Sequence, residues 1–254
     1  MKEILGCIRR ADQDFGMIQS GDRLAVGVSG GKDSLLLLYA LSLYRRFCPH
    51  PFHLEAVTLT MGLEPFDLSG VRALCDRLEV PYTVRATEIG RIIFEERREK
   101  NPCALCSKMR RGALNNLCAE RGLNKLALGH HRDDALETLF LSLLYEGRFH
   151  TFQPVTRLDR SGITQIRPMI YVPEKQVIHC ARQLDLPVVP SPCPANGRTH
   201  REDMKELLDL ICRRVPNARE LMLSALRNTS QYALWSREPS GPSGSPEQAD
   251  LPLE

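Results

Sequence analysis

Short apolar runs alternate with longer amphipathic ones along most of this chain. "RLAVGVS" (Arg23 to Ser29) has the unbroken apolar character of a buried strand. "DSLLLLYALSLYRRF" (Asp33 to Phe47) is long enough for a helix, and Pro49 ends it. The alternation repeats with a strand "HLEAVTLTM" (His53 to Met61) and a helix "LSGVRALCDRLE" (Leu68 to Glu79), whose Val71, Leu74, Cys75 and Leu78 fall at helical spacing. A third strand, "PYTVRATEI" (Pro81 to Ile89), leads into a charged helix "GRIIFEERREK". After a CxxC, the helix "KMRRGALNNLCAERG" (Lys108 to Gly122), the strand "NKLALGH" (Asn124 to His130) and the helix "DDALETLFLSLLYEG" (Asp133 to Gly147) complete the series. Such βαβ spacing predicts an α/β fold: a mainly parallel sheet with helices on both faces.

The rest of the chain departs from that rhythm. In "VTRLDRSGITQIRPM" (Val155 to Met169) two short strand-like runs flank the turn residues "DRSG", which predicts a hairpin. A helix "PEKQVIHCARQLD" (Pro173 to Asp185), a short strand "LPVVP" (Leu186 to Pro190) and a loop "SPCPANGRT" (Ser191 to Thr199) follow. Helices from His200 and from Asn217 close the ordered part. From Arg237 onward the Pro-, Gly- and Ser-rich composition predicts a disordered tail. The expected division is a main domain over 1–190, a loop with C-terminal helices over 191–236, and a tail over 237–254.

Hydrophobic residues make up 43% of the 254 positions, enough for a sizeable core, and the net charge of +3 gives no strongly basic tail. Arginine far outnumbers lysine, which suits phosphate contacts but follows equally from codon composition. The N-terminal "MKEILGCIRRADQDF" lacks the apolar core of a signal peptide, and "LLLLYALSL" (Leu35 to Leu43) is too short to span a bilayer. The expectation is a cytoplasmic protein with no membrane partner. Nine cysteines in that compartment are not a disulfide framework; they are packed, metal-bound or catalytic.

"GVSGGKDS" (Gly27 to Ser34) joins the first strand to the first helix. Its spacing is not that of a Walker A loop, but the physics is similar. Gly30 and Gly31 permit close backbone approach, the N–H groups at the helix start form an anion site, Ser29 and Ser34 add hydroxyls, and Lys32 adds a positive charge. Asp33, odd beside phosphates, is explained either by a Mg²⁺ ion or by capping of the helix. In a parallel sheet ligands bind at the carboxyl ends of the strands. That places His130, Asp133 and Asp134 on the same rim as the loop, although acids opening a helix also serve its dipole. Thr60 and Met61, ending the second strand, are candidates to border an adenine or else belong to ordinary core.

Five cysteines (Cys7, Cys75, Cys118, Cys180 and Cys212) lie among apolar neighbours at helical spacing and suit core packing. Cys48 sits at a helix end. Cys103, Cys106 and Cys193 remain off helical faces. Three thiolates leave several sites open: zinc with His179 or His200 as fourth ligand, a redox disulfide from the CxxC pair, or a [4Fe–4S] cluster with one iron free to bind and present hydrosulfide. A helix start near the pair is expected to favour thiolates. Lys108, Arg110 and Arg111 follow directly, either as a solvated helix face or as contacts to RNA phosphates.

"SGGKDS" resembles the pyrophosphatase loop of the PP-loop ATP-pyrophosphatase family. Taken with "LGHHRDDALETLFLSLLYEG" and "PCALCSKMRRGAL", the chain resembles the tRNA 2-thiocytidine synthetases over roughly Ile8 to Trp235, a group that includes desulfidase relatives. The resemblance implies a PP-loop fold, ATP and Mg²⁺ at Gly27 to Ser34, and a [4Fe–4S] cluster on Cys103, Cys106 and Cys193. It implies a tRNA partner, adenylation of a base, and a sulfur donor such as a cysteine desulfurase or free sulfide; a homodimer is left open. The surroundings of Cys193, "SPCPANGRTHRED", depart from the paired-cysteine pattern of many relatives. Two other readings stand beside thiolation: a cluster-dependent desulfidase and a non-catalytic, redox-sensing ATP-binding module that contacts RNA.

Overall fold

The computed structural model describes residues 1–63, 66–97, 102–159, 161–190, 193, 200–228 and 230. The tail expected from Arg237, and the loop expected over 191–199 apart from Cys193, lie outside the described residues.

Six strands form one sheet: β1 (Arg23–Gly27), β2 (His53–Thr60), β3 (Tyr82–Ala86), β4 (Lys125–Ala127), β5 (Val155–Arg157) and β6 (Thr164–Ile166), in the order β3-β2-β1-β4-β6-β5. All pairings are parallel except β5 with β6, the expected hairpin, in which Thr156 faces Gln165. Chain progression reverses direction between β1 and β4, so the crevice at their carboxyl ends is the topological switch point, where open α/β sheets place their ligands.

Alternation along the strands feeds two cores. On one face Leu24, Val26, Leu54 and Ala56 pack with helices α1 (Lys2–Phe15), α2 (Lys32–Tyr44), α3 (Ser69–Arg77) and α7 (Glu174–Gln183). Helix α2 is apolar nearly all round, with Leu35, Leu36, Leu37 and Leu38 all fully buried, because other helices pack against its outer side as well. On the opposite face Ala25, Val57, Leu126 and Ile163 meet Leu117 and Cys118 of helix α5 (Pro102–Glu120) and Leu123 just beyond it. Two further helices, α8 (His200–Arg214) and α9 (Ala218–Arg227), pack on α6 (Arg132–Glu146).

Three local expectations need correction. Leu186 to Pro190 is not a strand: Pro187 and Pro190 have no N–H to give a ladder, and beyond local bonds to Ala181 and within itself the segment reaches the glycine loop through Val189 N–H to the Gly30 carbonyl (2.9 Å). The charged run after β3 begins as a three-residue helical turn, α4 (Ile89–Arg91), and then widens to a π-helical turn over Ile92–Glu96. The CxxC pair does not precede its helix but lies in it, since α5 spans Pro102–Glu120 with proline at the first helical position, where a missing N–H costs nothing.

Candidate active site

The glycine loop is closed by its own serines. Ser29 N–H donates to Ser34 Oγ (3.1 Å), Ser34 O–H donates to the Gly31 carbonyl (3.0 Å), and Gly31 N–H reaches Ser29 Oγ (3.4 Å). Gly30 has φ +83°, and a Cβ there would lie 2.9 Å from Phe66 and 3.2 Å from Val189, so both the turn and its neighbours require glycine. Helix α2 starts at Gly31 with no side chain capping it, leaving first-turn N–H groups for an anion. Lys32 Nζ stands 2.9 Å from Asp33 Oδ1 and 3.5 Å from Glu174 Oε1; Glu174 in turn pairs with Lys205 of α8 (2.6 Å). A cavity of about 620 Å³ opens here, lined by Lys32, Glu174, Arg182 and Lys205 among others.

The loop after β4 touches the glycine loop directly. A Cβ on Gly129 would sit 3.0 Å from Asp33 C and Ser34 N, so glycine is needed for the approach. His131 caps α6 in a reciprocal box: Asp134 N–H donates to His131 Nδ1 (3.4 Å) and His131 N–H donates to Asp134 Oδ2 (2.8 Å). His131 Nε2 lies 3.7 Å from Asp33 Oδ1, which links Asp33 to Asp134 through one imidazole. Asp134 Oδ1 also holds Arg201 of α8 (3.0 Å). Asp133 is turned elsewhere. It is 6% exposed, accepts from Glu174 N–H (2.7 Å) and pairs with Arg219 of α9 (2.9 Å). Thr60 shares the strand-end rim but uses its carbonyl to bind Thr87 N–H (3.1 Å) and hydroxyl (2.6 Å).

On the other face, a second cavity of about 460 Å³ lies between the first turns of α5 and the ends of β4 and β6. Cys103, Cys106 and Cys193 all line it. So do Arg110 and Arg111 but not Lys108, which is exposed, so the basic run divides between the cavity and solvent. Burial pushes the Cys106 thiol up, opposed by Arg110, and the expected gain from the helix start does not prevail. The sheet side of the cavity follows strand alternation: Leu126, Leu128 and His130 from β4 and its extension, Gln165 and Arg167 from β6 and its extension. His130 packs against Phe152 at 4.9 Å with the rings tilted 41°, and among the described residues its buried Nδ1 has no hydrogen-bond partner. Burial pushes its pKa down to about 4, so it is neutral at physiological pH. Among the described residues no group of three His, Cys, Asp or Glu side chains converges on a single-ion site. The donor set facing this cavity is nevertheless three thiols walled by Leu114, Leu126 and Leu128, a sulfur-rich, largely apolar lining that fits a thiolate-held cluster.

Several residues here were not singled out from sequence: Glu174, Lys205, Phe94, Phe152, Gln165 and Arg167. The two-residue step from Gln165 to Arg167 marks one strand face, but nothing in the sequence says which face meets α5. His131, next to His130, forms the bridge between Asp33 and Asp134.

A glycine loop at the switch point of a parallel sheet defines a nucleotide-site α/β protein. The family model described as PP-loop domain matches residues 7–208, and the chain belongs to that family. It is 39% identical over 240 residues to the tRNA-cytidine(32) 2-sulfurtransferase of Geobacter metallireducens, covering 93% of each chain, and 32% identical to the protein of the same name from Coxiella burnetii, again with 93% of each covered. Among solved structures, the U34-tRNA thiolase NcsA from Methanococcus maripaludis, determined with its [4Fe–4S] cluster, matches with a TM-score of 0.72 at 23% identity, covering 89% of this chain and 77% of that one. That likeness establishes the shared fold.

Proposed function

We propose that this protein is an ATP- and iron–sulfur-dependent tRNA sulfurtransferase that converts a cytidine to 2-thiocytidine. The observation that carries the reading is a single loop. Gly129 packs against the glycine loop while the adjacent His130 lines the cavity of three thiols, so a phosphate site and a sulfur site meet across one peptide. The names of the sulfurtransferase relatives support tRNA and cytidine as the substrate.

In this reading the loop amides, Ser29 and Ser34 bind the phosphates of ATP, and Lys32 leaves Asp33 and Glu174 to neutralise charge that builds during displacement. Asp33, released from Lys32 and 3.7 Å from His131, would hold Mg²⁺. The C2 oxygen of the base attacks the α-phosphate and pyrophosphate departs. Sulfur then replaces that oxygen at C2, and AMP leaves carrying it. Cys103, Cys106 and Cys193 would hold the [4Fe–4S] cluster, which when bound supplies an iron site for sulfide derived from a cysteine desulfurase or from free sulfide. Arg110 and Arg111, at the cavity, contact RNA phosphates near the target base, which must leave its stack to be modified.

Anaerobic incubation with ATP, Mg²⁺, sulfide and unmodified tRNA tests this. The expected result is 2-thiocytidine in the digested tRNA with one AMP and one pyrophosphate per thiolated base. Loss of sulfur from thiolated tRNA without ATP consumption would support a desulfidase instead.

A further inference from the structure

We infer that Arg167 selects the base, with Gln165 beside it as a second, non-selective contact: the two form a hydrogen-bonding wall at which Arg167 accepts cytosine and rejects uracil. The inference rests on the thiolation reading above and concerns the same cavity.

Both side chains belong to one face of the sheet, two residues apart, and both line the thiol cavity. Gln165 is 3% exposed and lines the cavity, and its carboxamide makes no hydrogen bond to a described residue. A ligand in the cavity can therefore take up the hydrogen bonds the amide still offers. Arg167 is 7% exposed, and among the described residues no carboxylate pairs with it. Its Nη1 donates to the Gln153 carbonyl (2.6 Å) and reaches Thr156 Oγ1 (3.3 Å), which fixes the guanidinium, while its buried Nε has no partner. Phe152 touches both the Arg167 guanidinium, 4.8 Å from its centroid, and the His130 ring, tilted 41° at 4.9 Å. Aromatic groups beside polar groups with hydrogen-bonding capacity left are the kind of lining that receives an unstacked base.

The chemistry of the two residues decides which base. A guanidinium only donates hydrogen bonds and stays protonated. Cytosine offers it two acceptors, O2 and N3, and its 4-amino group can donate to the Gln165 carbonyl oxygen. Uracil carries a hydrogen on N3, so the same placement sets donor against donor in a buried site. Gln165 can turn its amide to suit either base, so it binds without choosing. Arg167, held by Gln153 and Thr156, cannot turn, and it discriminates.

The test uses the full chain, reconstituted with iron and sulfide, and two tRNA transcripts that differ only in carrying C or U at the target position. Arg167→Gln should lower kcat/KM for the cytidine transcript and reduce the cytidine-over-uridine preference roughly tenfold to hundredfold. Gln165→Leu should weaken cytidine thiolation by a similar factor. It should leave melting temperature, iron content and ATP affinity unchanged, since the side chain bonds to no described residue. If Arg167→Gln does not fold, Arg167→Lys, which keeps the charge but loses the planar fork, should show the same loss of cytidine preference. A wild-type chain that thiolates cytidine, together with variants that keep its rate and its preference, would overturn this inference and leave the function standing. A wild-type chain that thiolates neither transcript would overturn both.

Discussion

The two sides of the sheet rim solve opposite problems. Around the glycine loop charged groups already have partners: Lys32 with Asp33 and Glu174, Glu174 with Lys205, Asp134 with Arg201, and Asp133 with Arg219. Around the thiol cavity, among the described residues, Arg167 has no acidic partner, its Nε and His130 Nδ1 have no hydrogen-bond partner, and the Gln165 carboxamide makes no hydrogen bond. The first region is electrostatically complete, and a phosphate entering it must exchange one partner for another. The second holds buried polar groups with capacity left over, which a ligand satisfies. Completeness also has a structural role. Through Arg201, Lys205 and Arg219 it ties helices α8 and α9 to the acids at the strand ends, so the C-terminal helices brace the site they flank.

The largest effects should come from the cavity thiols. Alanine at Cys103, Cys106 or Cys193 should remove or degrade the cluster and end thiolation, read by iron and acid-labile sulfide content. Cys118→Ala, on the buried face of α5, should keep the cluster and cost only about 1–2 kcal/mol of stability for a small buried group. Next is Lys32→Ala, which should slow pyrophosphate release on the order of 10²–10³-fold while iron content stays normal. The two regions would then be separable by metal analysis; a Lys32→Ala variant with full activity would remove the loop from the chemistry.

A third comparison divides the acids. Asp33→Asn should lose activity at an unchanged melting temperature, because the side chain is a third exposed and bonded mainly to Lys32. Asp133→Asn should instead lose stability, about 1–3 kcal/mol, by weakening its hold on Glu174 N–H and Arg219. Equal melting temperatures for the two variants would contradict this division. The smallest effect is a pH dependence. Burial, with Asp134 adding to it, pushes the Glu137 carboxyl up from 4.5 to about 7. Between those values the folded chain keeps a proton that the unfolded chain has lost. Glu137 therefore makes stability fall as pH rises from about 4.5 to 7, after which its contribution is constant. Glu137→Gln should flatten that part of the melting profile and raise the melting temperature at pH 8. An unchanged profile would place the titration elsewhere.

Much of this was legible in sequence where one element carries its own signal. The apolar run of β1 followed by Gly30, Gly31 and Lys32 predicts both strand and loop, and "DRSG" predicts the β5–β6 hairpin. Of the five cysteines expected on apolar helical faces, Cys75, Cys118 and Cys180 are buried, while Cys7 and Cys212 are half-buried. What was not legible depends on contacts between distant segments. Whether Asp133 or Asp134 turns toward the loop is decided by Arg219 and by the N-terminus of α7. Pro187 and Pro190 deny a ladder to a segment whose composition otherwise suits a strand. Burial overrides the helix start at Cys106, because desolvation depends on what α5 packs against rather than on where it begins.

The account turns on the phosphate loop and the thiol cavity serving one reaction. The most direct test is anaerobic nucleoside mass spectrometry of tRNA treated with the reconstituted chain, with and without ATP, beside the Cys193→Ala variant. The account predicts 2-thiocytidine only when ATP and all three cavity cysteines are present. Thiolation that proceeds equally without ATP, or equally in Cys193→Ala, would contradict it.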